Sequence, residues 1–159
     1  MRIGHGWDLH RLAHGRACRL GGLTLDHPKG PQGHSDGDVV LHALADALLG
    51  AAALGDIGAF FPDTDPRWKG ADSGALLQEV MAKVRAEGFS LGNADLTIIA
   101  QEPKIGPHRE ALRRSIAALL HADLSRISVK AKTTEGLGDI GAGDAIACHA
   151  VVLLVRSEE

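Results

Sequence analysis

Residues 2–10 alternate: Ile3, His5, Trp7 and Leu9 fall on one side, and Gly4, Gly6, Asp8 and His10 on the other. A period of two predicts a strand. Ala17–Leu25 predicts a second strand interrupted by Gly21-Gly22, and His27–Gly33 a Pro/Gly-rich loop. The apolar run from Val39 to Leu54 is too long for a strand and predicts a helix. Ser35 or Asp36 is its expected cap, with Ser35-x-x-Asp38 as a capping-box-like pair and Gly55 as its end. Residues 55–70 form a long Gly/Pro/Asp loop, a kind that commonly carries function. Asp72-Ser73 then opens a helix with Leu76, Leu77, Val80, Met81 and Val84 on one face, stopped by Gly88. Ala94–Ala100 predicts a strand. Pro107 opens a third helix to about His121, with Leu112, Ile116, Leu119 and Leu120 on its buried face. Ile127–Lys132 predicts a short strand, residues 134–144 a Gly-rich turn, and Ala145–Arg156 a nearly all-apolar last strand. The order β-β-α-α-β-α-β-β predicts an α+β fold, a mixed sheet with helices packed on it. No linker or composition break divides the chain, so residues 1–159 are expected to form a single domain.

The last strand is apolar on both faces, and such strands are buried on both sides. One layer of helices does not readily cover that much surface in 159 residues, which predicts assembly around a three-fold axis.

Composition narrows the function classes. Hydrophobic residues make up 45% and charged residues 23% of 159, ordinary globular values. A net charge of −3 provides no global basic field for nucleic acid or anionic lipid. Aromatic residues are only 3%, too few for a base-stacking platform. The uncharged apolar stretches Ala47–Gly55 and Ala145–Val155 fall short of the roughly 20 residues of a membrane helix. The opening MRIGHGWDLH predicts no signal peptide. Cys18 and Cys148 are too few and too far apart for a disulfide framework or a thiolate zinc site. A cytoplasmic protein with no membrane or nucleic-acid partner is expected.

Candidate chemistry concentrates in three groups. Asp8-x-His10 puts a carboxylate and an imidazole on one strand face, which Gly4 and Gly6 are expected to leave open. His42 lies in the apolar helix within the i, i+4 seam Asp38, His42, Asp46. Two His and one carboxylate match a catalytic zinc set with an open position, and Asp38 or Asp46 could hold the other His42 nitrogen. A His in an apolar helix can equally be a satisfied core residue. The acidic loop groups Asp56-Ile57-Gly58 and Phe61-Pro62-Asp63-Thr64-Asp65 suit ribose hydroxyls, or simply turns. Lys130, Lys132, Thr133, Thr134 and Glu135 suit phosphate oxygens with a bridging hard cation, or a solvated edge strand guarded by lysines. Arg109, Arg113 and Arg114 read as a solvated helix face. Gly136-Leu-Gly138-Asp-Ile-Gly141 matches G-x-G-x-x-G literally, but a strand rather than a helix follows, so it is no dinucleotide fingerprint. LGDIGA occurs at Leu54–Ala59 and again at Leu137–Ala142 with unrelated flanks, which points to recurrent turn chemistry.

MRIGHGWDLH, GHSDGDVVLHALADALLGAAALGDIGAFFPDTDP, KGADS, LGNADLTIIAQEPKI, KAKTTEGLG and IACHAVVLL together resemble the 2-C-methyl-D-erythritol 2,4-cyclodiphosphate synthase family over essentially the whole chain. The resemblance implies a mixed sheet with helices on one side, and a homotrimer with active sites at subunit interfaces. It implies conversion of 4-diphosphocytidyl-2-C-methyl-D-erythritol 2-phosphate to the cyclic diphosphate and CMP. It puts zinc on Asp8, His10 and His42, and a second cation, magnesium or manganese, on Glu135. His34 and Thr133 are implied in transition-state stabilisation. Substrate contacts are implied for Asp8, Leu9, His10, His34 and Ser35; for Asp56, Ile57 and Gly58 at the ribose; and for Phe61, Pro62, Asp63, Thr64 and Asp65 at the methylerythritol end. Ala100, Gln101, Glu102, Pro103, Lys104, Ile105 and Gly106 are implied around the cytosine, and Lys132, Thr133, Thr134 and Glu135 around the phosphates.

The chain departs from the family pattern at Asp139 and Ala142, where Phe and Arg are usual, and at Lys132, where Thr is frequent. Two other readings use the same residues: a metal-dependent phosphohydrolase activating water, and a non-catalytic oligomeric metal-binding protein.

Overall fold

The computed structural model describes residues 1–157. β1 (Arg2–His14), β2 (Cys18–Leu20), β3 (Leu23–Leu25) and β4 (Lys29–Pro31) precede α1 (Val39–Ala51), the one-turn α2 (Ile57–Phe60) and α3 (Ser73–Ala86). β5 (Phe89–Ile99), α4 (Arg109–Leu120), β6 (Ile127–Lys132), the one-turn α5 (Gly138–Gly141) and β7 (Ala145–Arg156) complete the chain. The sheet order is β4-β1-β7-β5-β6, with β2-β3 a separate hairpin. β1 pairs antiparallel with β7 from Arg2↔Leu154 to Arg11↔Ala145. The β5–β6 pair is parallel, which requires a crossover, and α4 supplies it. The α+β expectation therefore holds: a mixed sheet packed against helices.

Gly4 and Gly6 do not leave a strand face open, as the alternation suggested. A Cβ on Gly4 would lie 1.9 Å from the Ala47 carbonyl oxygen, and one on Gly6 1.9 Å from that of Ala43. The missing side chains let α1 lie backbone-to-backbone on β1, the close approach that glycine permits. This contact carries His42 to the level of Asp8 and His10.

The helix cap also differs from expectation. Asp38, not Ser35 or Asp36, caps α1 by accepting from the Leu41 N–H. Its oxygens also accept from the Gly21 N–H at 2.9 Å and the Gly22 N–H at 2.8 Å. These glycines form the two-residue turn between β2 and β3, with φ of 59° and 82°, so the capping carboxylate pins the hairpin to the helix. α1 ends at Ala51, and Ala53 turns left-handed before Gly55 is reached. The expected loop at 55–70 contains α2 and a 3-10 turn at Pro66–Trp68. β5 begins at Phe89, earlier than expected, because a register shift between Leu91 and Asn93 hides its alternation.

Arg113 is no solvated-face residue. Its guanidinium donates to the Leu124 and Ile127 carbonyls and to Glu110, clamping α4 to the start of β6. No described helix is long and apolar enough to cross a membrane.

Candidate metal centre and active-site cavity

Asp8 and His10 project from the helix-facing side of β1, and His42 from the first turn of α1. Asp8 Oδ2 lies 2.8 Å from His10 Nε2 and 3.2 Å from His42 Nδ1, and the two imidazole nitrogens are 3.2 Å apart. Among the described residues these three form the sole group of three or more metal-ligating side chains. A tetrahedral ion with bonds of about 2.0–2.2 Å has donor edges of about 3.3 Å. The observed triangle is close to that size, and a nitrogen, nitrogen, oxygen set suits zinc. The residues fit the ion.

Burial by itself would raise the Asp8 carboxyl. Hydrogen bonds and charge from His10 and His42 outweigh it and hold Asp8 at about 2. Burial would likewise lower His42, but the Asp8 hydrogen bond and the surrounding carboxylates raise it. The site thus presents a carboxylate at neutral pH.

The other His42 nitrogen is held by hydroxyls, not by Asp38 or Asp46 as the helical seam suggested. His42 Nε2 lies 2.8 Å from Ser73 Oγ and 3.0 Å from Ser35 Oγ. Ser73 donates its hydroxyl proton to Asp36, which also accepts from the Ser73 N–H. This chain runs carboxylate, hydroxyl, Nε2–H, and leaves Nδ1 as a lone pair toward the centre. Asp46 instead accepts from the Ile57 N–H at 2.8 Å and anchors α2, and its half-burial raises its pKa.

A cavity of about 540 Å³ opens over the trio, bounded by His34, Ser35, Ile57, Gly58 and the stretch Phe61–Thr64. Of the expected site residues outside it, Asp56 caps α2, and Asp65 caps the 3-10 turn and pairs with Arg67. The Asp65 carbonyl lies 3.4 Å from His34 Nε2. Leu9 points to the opposite sheet face; its amide donates to Asp8. Gly33, Trp68 and Leu76 also line the cavity and were not expected from the sequence. The Trp68 ring meets Phe61 edge-on at 4.9 Å, a contact that no local motif announces.

A second cavity, of about 260 Å³, lies between Ala100, Lys104, Ile105 and Gly106 on one side and Ala131, Lys132 and Thr133 on the other. The two cavities share no lining residue, so one chain does not join the expected cytosine and metal ends. Gln101 accepts from the Gly136 N–H, Glu102 pairs with His27, and the Glu102–Pro103 peptide is cis. Thr134 donates to the Leu137 carbonyl. Glu135 is exposed and lies outside the Asp8, His10, His42 group.

Residues 1–155 match the YgbB family. A 2-C-methyl-D-erythritol 2,4-cyclodiphosphate synthase from Stutzerimonas stutzeri is 60% identical over 156 residues, spanning 98% of this chain and 99% of that protein. A solved 2C-methyl-D-erythritol-2,4-cyclodiphosphate synthase in a CDP-bound form superposes with a TM-score of 0.89 at 49% identity, covering 97% of this chain and all of that one. The bifunctional IspDF of Campylobacter jejuni superposes with a TM-score of 0.95 at 43% identity, over 99% of this chain and 42% of that one.

Proposed function

The chain belongs to the YgbB family, and from that premise we propose that it converts 4-diphosphocytidyl-2-C-methyl-D-erythritol 2-phosphate to 2-C-methyl-D-erythritol 2,4-cyclodiphosphate and CMP. It is a phosphorus–oxygen lyase. A 2-phosphate oxygen attacks the β-phosphorus, a new P–O–P bond forms, and the bond between the β-phosphorus and its bridging oxygen breaks as CMP leaves. The substrate is its own nucleophile, so positioning and charge neutralisation are what the protein supplies. The observation that carries this reading is the Asp8, His10, His42 triangle at the floor of the larger cavity.

Asp8, His10 and His42 would hold zinc, and Glu135 a magnesium or manganese ion. When bound, these cations act as Lewis acids toward the diphosphate. His34 and Ser35 hold the phosphates from one side of the metal site. Lys132, Thr133 and Thr134 hold them from the other, with His34 and Thr133 stabilising the transition state. Lys132 adds a positive charge at this position. Asp56, Ile57 and Gly58 position the ribose end. Phe61, Pro62, Asp63, Thr64 and Asp65 enclose the methylerythritol. Gln101, Glu102, Pro103 and the walls of the smaller cavity take the cytosine.

The separation of the two cavities supports a homotrimer, in which one copy's base pocket completes its neighbour's metal site. Ile3, Trp7, Leu9 and Val151 form an exposed apolar patch on the sheet face away from the helices, the surface such an assembly would bury. The enzyme acts in the cytoplasm.

Phosphorus NMR of the substrate incubated with the protein and a divalent cation tests this. The expected products are CMP and a cyclic diphosphate. Free phosphate with a diol would identify a phosphohydrolase, and unchanged substrate a non-catalytic metal protein.

A further inference from the structure

We propose that Arg16, Arg19 and Lys69 form a docking site for phosphoryl groups beside the active-site cavity. There the diphosphate of the incoming substrate is captured before it reaches the metal centre, a role that rests on the synthase reading. The three cations line a third cavity, of about 450 Å³. Gly33, His34 and Ser35 line both this cavity and the larger one, so a single short segment is the wall between them. None of the lining residues belongs to the apolar sheet face of Ile3, Trp7, Leu9 and Val151 that the proposed trimer buries.

Charge explains the need for such a site. The chain carries a net −3, and the larger cavity is lined by Asp8, Asp46 and Asp63 and by no Lys or Arg. A substrate bearing a diphosphate and a 2-phosphate therefore approaches a surface of like sign. The third cavity reverses that sign, with three cations against one carboxylate, Asp36. That carboxylate is already committed, accepting from the Asp38 N–H at 3.1 Å and from the N–H and hydroxyl of Ser73. Arg16 is half-buried, and its Nε donates to the Pro31 carbonyl at 3.1 Å. This bond fixes the guanidinium and leaves its two amino groups for a ligand. Arg19 donates to Thr24 Oγ1 at 3.2 Å, and its carboxylate neighbours Asp36 and Asp72 stand off at 3.9 and 3.6 Å, too far for hydrogen bonds. Lys69 is exposed, and its Nζ has no ion-pair partner among the described residues. Guanidinium and ammonium groups converging on one cavity suit phosphoryl oxygens. Cations beside a site speed capture more than turnover. Such steering raises association rates by about 10–10³, and it fades as salt shortens the screening length from about 30 Å at 0.01 M to about 3 Å at 1 M.

Inorganic pyrophosphate is titrated by calorimetry into metal-free protein at low salt, so that no ion at Asp8 recruits the anion. Saturable binding is expected, weakened about tenfold in the Arg16→Gln, Lys69→Gln double variant and unchanged in Arg114→Gln, which removes a charge from α4. In the metal-loaded protein at low salt the double variant is expected to lower kcat/KM for the substrate about tenfold while kcat holds, a deficit that closes at about 0.5 M salt. Arg16→Lys, which keeps the charge, should restore most of the capture. Circular dichroism checks folding, and Lys69→Gln alone carries the test if loss of the Arg16 bond to Pro31 unfolds the chain. Absence of pyrophosphate binding by the parent, equal binding in a folded variant, or a deficit that persists at high salt overturns the site. Weakened pyrophosphate binding with unchanged kcat/KM overturns its role in substrate capture. A parent that binds pyrophosphate through these residues but releases no CMP upholds the anion site and overturns the synthase reading instead.

Discussion

Ser73 Oγ lies 2.8 Å from His42 Nε2, although the two residues are 31 positions apart and lie on different helices. Because Ser73 passes its own proton to Asp36, it can only accept from His42. His42 Nδ1 is therefore the nitrogen left for an ion.

Ser73→Ala is expected to weaken zinc binding by about 10–100-fold, the usual effect of removing a group that orients a metal ligand. Ser35 also reaches His42 Nε2, so the Ser35→Ala, Ser73→Ala double variant should bind more weakly still. His42→Ala should lose the ion altogether while keeping its helical circular dichroism. Chelator-dye competition measures all three. Unchanged zinc affinity in the double variant would show that the hydroxyls do not orient His42.

Gly6→Ala tests the seat of α1. Its Cβ would collide with the Ala43 carbonyl, so helix and strand must separate. Overpacking of this kind costs about 1–3 kcal/mol. A denaturant midpoint equal to the parent's would mean that the backbone contact is looser than described. Zinc affinity should fall as well, since the shift moves His42 away from Asp8.

Much of this site was legible because periodicity alone puts Asp8 and His10 on one strand face and His42 in a helix. The boundaries of β6 and β7 were equally legible, β6 from the alternation of Ile127 and Val129 with polar neighbours and β7 from its nearly unbroken apolar run. The Ser73–His42 bond was not, because it depends on α3 docking beside α1, which no local pattern encodes. Gly4 and Gly6 misled for a related reason: a missing side chain reads as open space until the helix backbone that fills it is known. Arg113 looks solvated by composition, and only the β6 crossover reveals the carbonyls it serves.

The cysteines should be inert in the native protein. Burial, reinforced by the nearby Asp38 charge, pushes Cys18 up to about 11 and raises Cys148 further. Thiolate, the reactive form, is then scarce at pH 8. Iodoacetamide at that pH should label neither residue until denaturant is added. Rapid labelling of the folded protein would contradict the burial of both thiols.

Assembly is tested by sedimentation. Ile3 is 75% exposed, Trp7 49%, and Leu9 and Val151 44% each, all on one sheet face. A mass of three chains is expected at micromolar concentration, and Val151→Lys should shift it toward one chain by placing charge in that apolar surface. A single-chain mass for the parent protein would refute the trimer.

Nucleotide selectivity follows from the smaller cavity. Its volume is about 260 Å³, Ala100 and Ala131 wall it, and no aromatic ring lines it. A purine finds no aromatic surface there on which to stack. A pocket that pairs its polar groups with a pyrimidine leaves them unpaired against any other base, which costs free energy in a buried site. CDP is therefore expected to bind in the presence of magnesium, and ADP more weakly by about 10²-fold or more. Ala100 is only 5% exposed, so Ala100→Leu should fill the cavity and weaken CDP binding. Zinc content should not change, because none of the three metal ligands lines this cavity. Calorimetric titration of both nucleotides into both proteins measures this, and equal affinity for CDP and ADP would show that the base binds elsewhere.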